Sequence, residues 1–419
     1  MTQDRYWQGT NVVSMRASAE SVQSPAPSET DLPMPESSVQ VDNPARTRRK
    51  VMFVIEGLTV GGAEHMVIDL ANELVSRGDI VHVACLSVLG ELSHKLSCDV
   101  AVHLLHKKSG FDPVLPGKLR KLVQKYSIDV VNSHLWTANL WTRIALVRTG
   151  IPVVVTEHNR DIWKGIHNRV IDRVLSHTTA RMIAVSEDTA NFYRHEVGVA
   201  GHLVTVVNNG IDTSRYGSGS GVSLRSTFAD SDEFLVGTVG RLAIAKNHPR
   251  LVEAAGLLRD AGVPVRVVIA GEGPERGKTE LRIAELNLQQ QVTLLGARND
   301  VPDLLAALDV FVLSSDREGH PLSALEAQAA GTPVVLTDAG GSADAISQDS
   351  EGCGGILVER SAAALAACLL ELFNQPKRLE KMSEFAQSYA VKHFDKSIMI
   401  DRYSAVFDAV QRSGLTSLV

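Results

Sequence analysis

Two glutamates separated by seven residues, Glu318 and Glu326, form the pair whose spacing bears most directly on chemistry in this sequence. They follow an apolar run at 310–313 (VFVL), which is typical of a buried strand and ends in a polar loop. Pro321 is expected in the first turn of a helix that ends at Gly331, because a missing N–H costs nothing there. Another strand follows, so the loop opens at the carboxyl end of a strand, where open α/β sheets bind ligands.

The spacing of the two glutamates has more than one interpretation. On a helix, eight residues correspond to about 80° of rotation and about 12 Å of rise. Hydrolytic carboxylate pairs are roughly 5–10 Å apart, so the spacing favours two contacts to hydroxyl groups on different parts of one ligand. The alternatives are a helix N-terminal charge for Glu318 and a solvated or paired carboxylate for Glu326.

Two further loops have residues suited to phosphate. Arg241 and Lys246 follow a predicted strand, and two cations there suit a diphosphate, which Arg clamps bidentately and Lys neutralises as a point charge. Gly61 and Gly62 directly precede a predicted helix, whose backbone N–H groups and positive end could hold a phosphate, although a plain glycine turn explains them equally well. A third glycine loop at 270–275 (AGEGPE) is only a weak dinucleotide fingerprint.

Alternating strands and helices position these loops. The first half has predicted strands at 50–55, 80–86, 100–105, 129–134, 151–159, 181–187 and 203–212. The second half has them at 235–241, 265–271, 292–296, 310–314, 333–337 and 355–358. Such alternation indicates parallel sheets with helices on both faces, so we predict an α/β fold with two doubly wound, Rossmann-like units.

The domain organisation follows from length and composition. A chain of 419 residues is too long for one ordinary core, and two facing α/β domains can enclose a ligand between them. Residues 1–49 are rich in Ser, Pro and Glu and are predicted to be a disordered tail. The remaining boundaries are a first domain at 50–215, a flexible linker at 216–230, a second domain at 231–393, and a final helix with its tail at 394–419.

Composition excludes several classes of protein. A net charge of −6 is unfavourable for sequence-independent binding of nucleic acid. No apolar run reaches the roughly 18–20 residues of a membrane span, and the N-terminus lacks the apolar core of a secretory signal. The four cysteines are scattered, without a CxxC pair, and no HExxH occurs, which argues for a reducing cytosol and against a zinc site. We therefore expect a cytoplasmic protein that holds no metal.

Two features of the first half leave alternatives open. A predicted helix at 118–126 has four cations that could dock on anionic lipid headgroups at the inner face of the membrane, or could simply be solvated: Lys118, Arg120, Lys121 and Lys125. Three tryptophans near strand ends could stack on sugars or could belong to the core: Trp136, Trp141 and Trp163.

Taken together, these segments resemble one family. Residues 318–326 (EGHPLSALE) resemble the E-x7-E motif of retaining family 4 glycosyltransferases, which have the GT-B fold. The surrounding segments occur in the order expected of that family, over about residues 50–415: GLTVGGAE, SHL, TEHN, NNGIDT, VGRLAIAKN and AGEGPE. The resemblance implies two Rossmann-like domains that face each other across a cleft, and a C-terminal helix that crosses back to the first domain.

The resemblance also implies roles for the cations and glycines. Arg241 and Lys246 would bind the diphosphate of a nucleotide-sugar donor and stabilise the departing nucleoside diphosphate. In this role the two cations would take the place of a metal ion. Gly61 and Gly62 would add backbone N–H groups from the opposite domain. No cofactor is implied beyond the nucleotide sugar, a UDP- or GDP-linked co-substrate.

For the sugar and ribose, the resemblance assigns the remaining residues. Glu326 would accept hydrogen bonds from the ribose hydroxyls, and His158 would lie near the transferred sugar and phosphate. Glu318 would hold the donor sugar together with the backbone of four residues: Gly319, His320, Pro321 and Leu322. His320 stands where many relatives have an aromatic residue or a second glycine, which puts the local shape of the pocket in question, unless His320 is a helix-start residue without contacts.

The function implied is retaining transfer of a sugar to a saccharide acceptor, lipid-linked in this prediction, for cell-surface or exopolysaccharide synthesis. Retention would proceed by substitution on the same face, with the leaving phosphate assisting proton removal. Two alternatives are a sugar-nucleotide epimerase on the same fold and a catalytically silent partner that only binds nucleotide sugar. The first would need further acid/base carboxylates in the cleft, and the presence of both glutamates and both cations disfavours the second.

Overall fold

The computed structural model describes residues 48–161 and 165–416. Almost all of the tail predicted at 1–49 lies outside these ranges, as do Trp163 and residues 417–419. No helix among the described residues is both long and apolar enough to cross a membrane.

Seven parallel strands form the sheet of the first half. They are β1 (Lys50–Ile55), β2 (Ile80–Cys85), β3 (Ala101–Leu104), β4 (Val130–His134), β5 (Val153–Glu157), β6 (Arg181–Ala184) and β7 (Val204–Val206). Their order across the sheet is β3-β2-β1-β4-β5-β6-β7. Every strand predicted in this half is present, and most are shorter than predicted because their polar ends belong to loops.

Six parallel strands form the second sheet. They are β8 (Phe234–Val239), β9 (Val265–Ala270), β10 (Val292–Gly296), β11 (Val310–Leu313), β12 (Val334–Thr337) and β13 (Gly355–Val358). Their order is β10-β9-β8-β11-β12-β13. The order therefore reverses between β1 and β4 in one sheet and between β8 and β11 in the other. Ligands of open α/β sheets bind at such reversal points, outside the carboxyl ends of the strands.

Helices connect the strands on both faces of each sheet. The first half has α1 (Gly62–Ser76), α2 (Leu115–Tyr126), α3 (Trp136–Leu146), α4 (Ile166–Ser176), α5 (Glu187–Asn191) and α6 (Thr213–Gly217). The second half has α7 (Val222–Phe228), α8 (His248–Asp260), α9 (Arg276–Glu285), α10 (Val301–Ala307), α11 (Leu322–Ala329), α12 (Ala362–Phe373), α13 (Pro376–His393) and α14 (Lys396–Thr416). Short polar side chains start several of them: Ser186 accepts from the backbone N–H of Thr189, and Ser361 from that of Ala364.

Each sheet is buried on both faces, as its near-continuous apolar strands require. In β1, Val51, Phe53 and Ile55 belong to one core cluster, whereas Met52 and Val54 belong to another on the opposite face. The same alternation divides β8 between two further clusters. This pattern is the two-unit α/β architecture predicted from the sequence.

The C-terminal helix α14 returns to the first half, as expected. Its buried face (Met399, Ile400, Tyr403, Val406, Phe407 and Val410) belongs to the same core cluster as β1 and α1. Just before α14 the chain pairs with the end of the first half, where the N–H of Ile211 donates to the carbonyl of Phe394 and the N–H of Lys396 donates to the carbonyl of Ile211, both at 2.8 Å.

Two local expectations differ from the structure. The segment 216–230, whose composition suggests a flexible linker, contains the whole of α7 and packs on α10. A Cβ added at Gly221 would lie 2.3 Å from the backbone of Ala307. Pro321 occupies the N-cap position of α11 with an extended ψ of 110°, one residue before the first turn in which it was expected.

Candidate active site

Strands on either side of the two reversal points lead into the predicted site residues. Gly61 and Gly62 follow β1, Arg241 and Lys246 follow β8, and Glu318 follows β11. His158 follows β5, which lies next to β4 at the reversal of the first sheet. The topology therefore brings segments that are distant in sequence to the carboxyl edges of the two sheets.

A lysine and a glutamate form the centre of the second-domain site. The Nζ of Lys246 lies 2.7 Å from Oε1 and 3.0 Å from Oε2 of Glu318. Glu318 is buried, and its Oε1 also accepts a hydrogen bond from the hydroxyl of Ser315. A buried carboxylate needs such a partner, because removing an unpaired charge from water is costly. Lys246 and Glu318 thus hold each other in a fixed position at the mouth of the sheet.

Polar contacts fasten the lysine loop to the glutamate loop. The N–H of Asp316 donates to the carbonyl of Ala245 at 2.7 Å, and the side-chain amide of Asn247 donates to Asp316 at 3.0 Å. Arg250 bridges the same loops, since it donates to Asp316 at 2.6 Å and to the carbonyl of Ser314 at 2.7 Å. Asn247 has a φ of 44°, a left-handed conformation that Asn tolerates better than most residues. These contacts join the two loops, so the backbone of Lys246 is held near Glu318 even without the contact made by the flexible lysine side chain.

The first domain contributes two close approaches to this site. A Cβ added at Gly62 would lie 3.4 Å from Leu322, so the beginning of α1 faces the beginning of α11. A Cβ added at Gly319 would lie 1.8 Å from the carbonyl oxygen of His158, so these two backbones touch. Both helices begin here, and the positive dipole end of a helix N-terminus attracts anions.

Arg241 is exposed and lies within electrostatic reach of Glu64 in α1. Burial raises the pKa of Glu64, and the charge of Arg241 acts in the opposite direction. The carboxylate of Glu64 also lies beside Gly61, where an added Cβ would be 2.3 Å from Oε2. The structure thus brings a cation of the second domain near the glycine loop of the first. Glu64 was not predicted as a site residue, although it belongs to the GLTVGGAE segment.

His158 is the end of a hydrogen-bonded chain that begins at Asn132. The side-chain amide of Asn132 donates to the carbonyl of Val154 and to the hydroxyl of Thr156, both at 3.1 Å, which leaves its Oδ1 as the acceptor facing His134. His134 Nε2 lies 2.8 Å from that oxygen, and His134 Nδ1 lies 3.1 Å from His158 Nε2.

This chain determines which nitrogen of His158 has the proton. His134 must donate through Nε2, so its neutral ring accepts at Nδ1 and His158 donates through Nε2. Burial lowers the pKa of His134 well below its usual range and that of His158 to about 4, so both rings are neutral at pH 7. Nδ1 of His158 is then a hydrogen-bond acceptor, suited to a hydroxyl donor.

His320 is buried, and its side chain makes definite contacts. Its Nε2 lies 3.1 Å from the carbonyl of Asp344, its ring packs edge-on against Phe394, and its carbonyl accepts from Asn209 at 2.9 Å. Burial lowers its pKa to about 4, so the ring is neutral. The alternative of a helix-start residue without contacts is therefore wrong, and the His320 side chain connects the loop before α11 to the C-terminal end of α13.

Glu326 lies in α11, eight residues after Glu318, and pairs with Tyr216. The Tyr216 hydroxyl donates to Oε1 of Glu326 at 2.7 Å. Burial raises the pKa of Glu326, the Tyr216 bond and Arg215 lower it, and Asp69 of α1 raises it. Glu326 thus faces groups from both halves of the molecule. Tyr216 was missed because the surrounding Gly and Ser residues predicted a linker there.

The tryptophans were expected either to stack on sugars or to belong to the core, and the structure decides between these alternatives for Trp141. Trp141 is buried in a core cluster and packs against Phe111 with ring centroids 5.4 Å apart, so it is a core residue. Within residues 48–161 and 165–416, no group of three or more His, Cys, Asp or Glu side chains is placed to hold a metal ion.

Comparison with known proteins agrees with this architecture in both halves. The family model described as Glycosyltransferase Family 4 matches residues 60–215, and the model described as Glycosyl transferases group 1 matches residues 223–389. The crystal structure of HepE from Anabaena in complex with UDP superposes with a TM-score of 0.75 at 22% identity, covering 86% of this chain and all of that one.

Two enzymes illustrate the relatives. The UDP-Gal:alpha-D-GlcNAc-diphosphoundecaprenol alpha-1,3-galactosyltransferase of Escherichia coli is 28% identical over 247 residues, 56% of this chain and 64% of that protein. The GDP-mannose-dependent alpha-(1-6)-phosphatidylinositol dimannoside mannosyltransferase of Mycobacterium tuberculosis is 29% identical over 281 residues, 64% of this chain and 71% of that protein. With family models matching both halves and a fold that agrees, the chain belongs to the family 4 glycosyltransferases.

Proposed function

We propose that this protein is a retaining glycosyltransferase that moves a sugar from a UDP- or GDP-linked donor to a lipid-linked saccharide in the synthesis of a cell-surface polysaccharide or exopolysaccharide. The observation that carries the proposal is the Lys246–Glu318 pair, held at 2.7 Å at the N-terminus of α11 and faced by the glycine loop of the first domain. A cation, a buried carboxylate and two helix N-termini at one cleft suit a diphosphate joined to a polar sugar.

In this reaction Lys246 and Arg241 neutralise the charge that develops on the departing nucleoside diphosphate. Preorganised cations of this kind lower the barrier, because they need no reorganisation when the charge appears. We therefore propose that the enzyme uses no metal and no cofactor besides the nucleotide sugar. Backbone N–H groups at Gly61 and Gly62 complete the phosphate site from the opposite side.

The carboxylates hold the two ends of the donor. Glu318 and the backbone from Gly319 to Leu322 bind the sugar, and Glu326 accepts hydrogen bonds from the ribose hydroxyls. His158 offers its Nδ1 acceptor to a hydroxyl of the sugar or acceptor. An ionised carboxylate only accepts hydrogen bonds, so donor binding requires Glu326 in its ionised form.

The relatives support a choice of donor and acceptor class. The names of two of them specify UDP-Gal and GDP-mannose as donors, and HepE was crystallised with UDP. The same two names specify a diphosphoundecaprenol-linked sugar and a phosphatidylinositol mannoside as acceptors, both lipid-linked. We extend the lipid-linked class, and both nucleotide bases, to this chain.

The predicted contact of α2 with an anionic membrane is carried by fewer side chains than the sequence suggests. Lys118 donates to the carbonyl of Leu105 and Arg120 to that of Ala145, both at 2.8 Å, so these two side chains are occupied within the fold. Lys121 and Lys125 are exposed and remain the candidates for this contact.

A thermal-shift panel of UDP-, GDP- and ADP-sugars tests the proposal, because a bound ligand stabilises by RT ln(1 + [L]/Kd). We expect the UDP or GDP series to raise Tm. Glu326→Ala should abolish this shift, and Lys246→Ala should lower kcat by about 100-fold or more with a smaller effect on donor Kd. Lys278→Ala, at a lysine whose side chain is 67% exposed in α9, is the matched control.

Four outcomes would contradict the assignment in different ways. Wild-type rates in both Glu326→Ala and Lys246→Ala would show that the site is elsewhere. Loss of activity with EDTA would indicate metal chemistry. A Tm shift without transfer to any lipid-linked saccharide would favour the silent binding partner, and conversion of the nucleotide sugar itself would favour the epimerase.

A further inference from the structure

The loop after β12 holds the backbone of Glu318 on both sides. The N–H of Glu318 donates to the carbonyl of Ala339 at 2.6 Å, and the N–H of Gly341 donates to the carbonyl of Glu318 at 3.1 Å. We call residues 338–344 the β12 loop. Because β11 and β12 are neighbours in the sheet, the Glu318 loop and the β12 loop leave the same sheet edge side by side. The position of Glu318 therefore depends on the β12 loop.

The first domain reaches the same loop through the start of α5. The backbone N–H of Glu187, the first residue of α5, donates to Oδ2 of Asp344 at 2.6 Å. The first N–H groups of a helix have no partner within the helix, and Ser186 accepts from that of Thr189. Asp344 of the second domain thus supplies the acceptor for an N–H group that α5 itself cannot satisfy.

Two glycines of the β12 loop lie against the first domain beside this bond. A Cβ added at Gly340 would lie 2.7 Å from Oδ2 of Asp188, and a Cβ added at Gly341 would lie 2.9 Å from the hydroxyl of Ser186. Glycines allow this close approach but offer no side chain that could bond across it. The carboxylate of Asp344 instead makes a directional contact, which fixes the β12 loop relative to α5.

The charges around Asp344 oppose this approach. Burial raises the pKa of Asp344, the N–H of Glu187 lowers it, and the carboxylates of Glu187 and Asp188 raise it. A carboxylate near two like charges is unfavourable unless it has a hydrogen-bond donor of its own. The hydrogen bond from Glu187, and not an attraction between charges, therefore holds Asp344 to the start of α5.

We propose that Asp344 is a positioning residue that couples the start of α5 in the first domain to Glu318 in the second. Asp344 does not contact the donor in this proposal. It acts through the β12 loop, which aligns the Glu318 backbone when the two domains are in contact. The effect on sugar transfer rests on the proposed function, whereas the coupling between α5 and Glu318 does not.

Backbone amide exchange of the full chain tests the coupling without the reaction. In Asp344→Ala we expect the amides of Glu187, Glu318 and Gly341 to exchange at least about tenfold faster, since each hydrogen bond depends on the β12 loop. Asp344→Asn keeps an oxygen acceptor, so its exchange should stay within about threefold of the wild type. Asp232→Ala, at an exposed aspartate before β8, is the control and should exchange like the wild type.

A proline at residue 187 removes the donor of the same hydrogen bond. Proline is tolerated at the first residue of a helix, so Glu187→Pro deletes the N–H and, with the side chain, the ion pair to Arg194. Glu187→Ala loses that ion pair but keeps the N–H, so it is the matched control and should keep the wild-type rate.

The kinetic test compares these variants with Asp344→Ala. In Glu187→Pro and in Asp344→Ala, kcat should fall about tenfold while the Kd for UDP or GDP stays within about twofold, because the misplaced group holds the sugar and not the nucleotide. Asp344→Asn should restore most of the rate. The double variant should lose no more than either single variant, because both changes remove one hydrogen bond.

A Tm near that of the wild type verifies that the variants fold. Faster exchange confined to Glu187 would show a purely local contact and would overturn the positioning role. Additive losses in the double variant would also overturn it, as would a nucleotide Kd that rises as much as kcat falls. A wild-type chain that transfers no sugar would contradict the proposed function, and the amide exchange would still decide the coupling.

Discussion

At the scale of single residues, His158 depends on two side chains that a ligand cannot touch. Asn132 and His134 are both buried, and their hydrogen bonds leave His158 with its proton on Nε2. Because burial lowers the pKa of His158 to about 4, the neutral ring persists across the physiological range. The tautomer is thus set by strand β4, one strand away from His158 itself.

The tautomer can be observed directly by 15N NMR of the histidine rings at pH 7. In the wild-type protein we expect Nδ1 of His158 to resonate as an unprotonated nitrogen and Nε2 as a protonated one. His134→Leu removes the acceptor of the Nε2 proton, so the Nδ1–H tautomer should become populated. His195→Leu, at an exposed histidine, should leave the His158 signals unchanged. A wild-type ring protonated at Nδ1 would contradict this hydrogen-bond chain.

The Tyr216–Glu326 pair predicts a dependence of donor binding on pH. Burial raises the pKa of Glu326, and the Tyr216 hydroxyl favours the ionised carboxylate. If the ionised form binds the ribose, affinity falls as pH falls through this raised pKa. Tyr216→Phe removes the stabilising bond, so the pKa of Glu326 rises further and the loss of affinity moves to higher pH.

Calorimetric Kd values for UDP or GDP between pH 5 and 8 measure this effect. For Tyr216→Phe we expect a Kd close to that of the wild type at pH 8 and a loss of affinity that begins at a higher pH and deepens as the pH falls toward 5, because the pKa of Glu326 is raised further. Tyr126→Phe, in the first domain, should reproduce the wild-type curve. If the Kd of Tyr216→Phe changed with pH in the same way as that of the wild type, Glu326 would not be the residue that binds the ribose.

At the scale of elements, the contact between loop 158–159 and the start of α11 depends on a glycine. An added Cβ at Gly319 would lie 1.8 Å from the His158 carbonyl oxygen and 3.4 Å from Asn159. Gly341 is equally confined, since its Cβ would lie 1.4 Å from the carbonyl oxygen of Gly319. Backbone, unlike the end of a flexible side chain, cannot give way without moving a whole loop.

Gly319→Ala should therefore separate the two loops. Because the donor would contact both loops, we expect nucleotide-sugar binding to weaken by at least about tenfold; a misplacement of about 1 Å is known to cost up to 100-fold in rate. Isothermal titration with the donor identified by thermal shift measures the change. Gly277→Ala is a matched control, because an added Cβ there meets nothing within 4 Å in α9 and alanine favours a helix. A Gly319→Ala variant with wild-type affinity would mean that this contact does not shape the site.

Sequence patterns predicted the elements better than their contacts. Long apolar runs such as 265–270 and 310–313 identify buried strands, and the strands of both sheets were found in this way. The Glu318 and Lys246 loops were also located, because they follow such runs. Their mutual ion pair was not predictable, since it depends on the register of β8 beside β11, which no local pattern encodes. The buried Asn132–His134 chain was missed for the same reason, because it depends on the register of β4 beside β5.

At the scale of the whole molecule, helix α14 joins the last part of the chain to the first sheet. Arg49, just before β1, pairs with Asp79 at 2.6 Å and with Asp408 of α14 at 2.8 Å. The Tyr403 hydroxyl lies 3.4 Å from that of Thr156 in β5. The core of the first domain is therefore completed by residues from the far end of the sequence, and its stability depends on them.

Phe407 is the sharpest probe of this dependence. Its side chain is fully buried, and its ring lies 6.4 Å from that of Phe53 in β1 and 6.0 Å from that of Tyr403. Phe407→Ala should lower the free energy of unfolding of the first domain by about 3–5 kcal/mol, the usual cost of such a cavity. All four tryptophans precede residue 164, so tryptophan fluorescence in a urea titration follows the first half specifically. Val391→Ala, at a valine 55% exposed in α13, should change the midpoint little, within about 0.5 kcal/mol. A loss below about 1 kcal/mol for Phe407→Ala would mean that the first domain holds its core without α14.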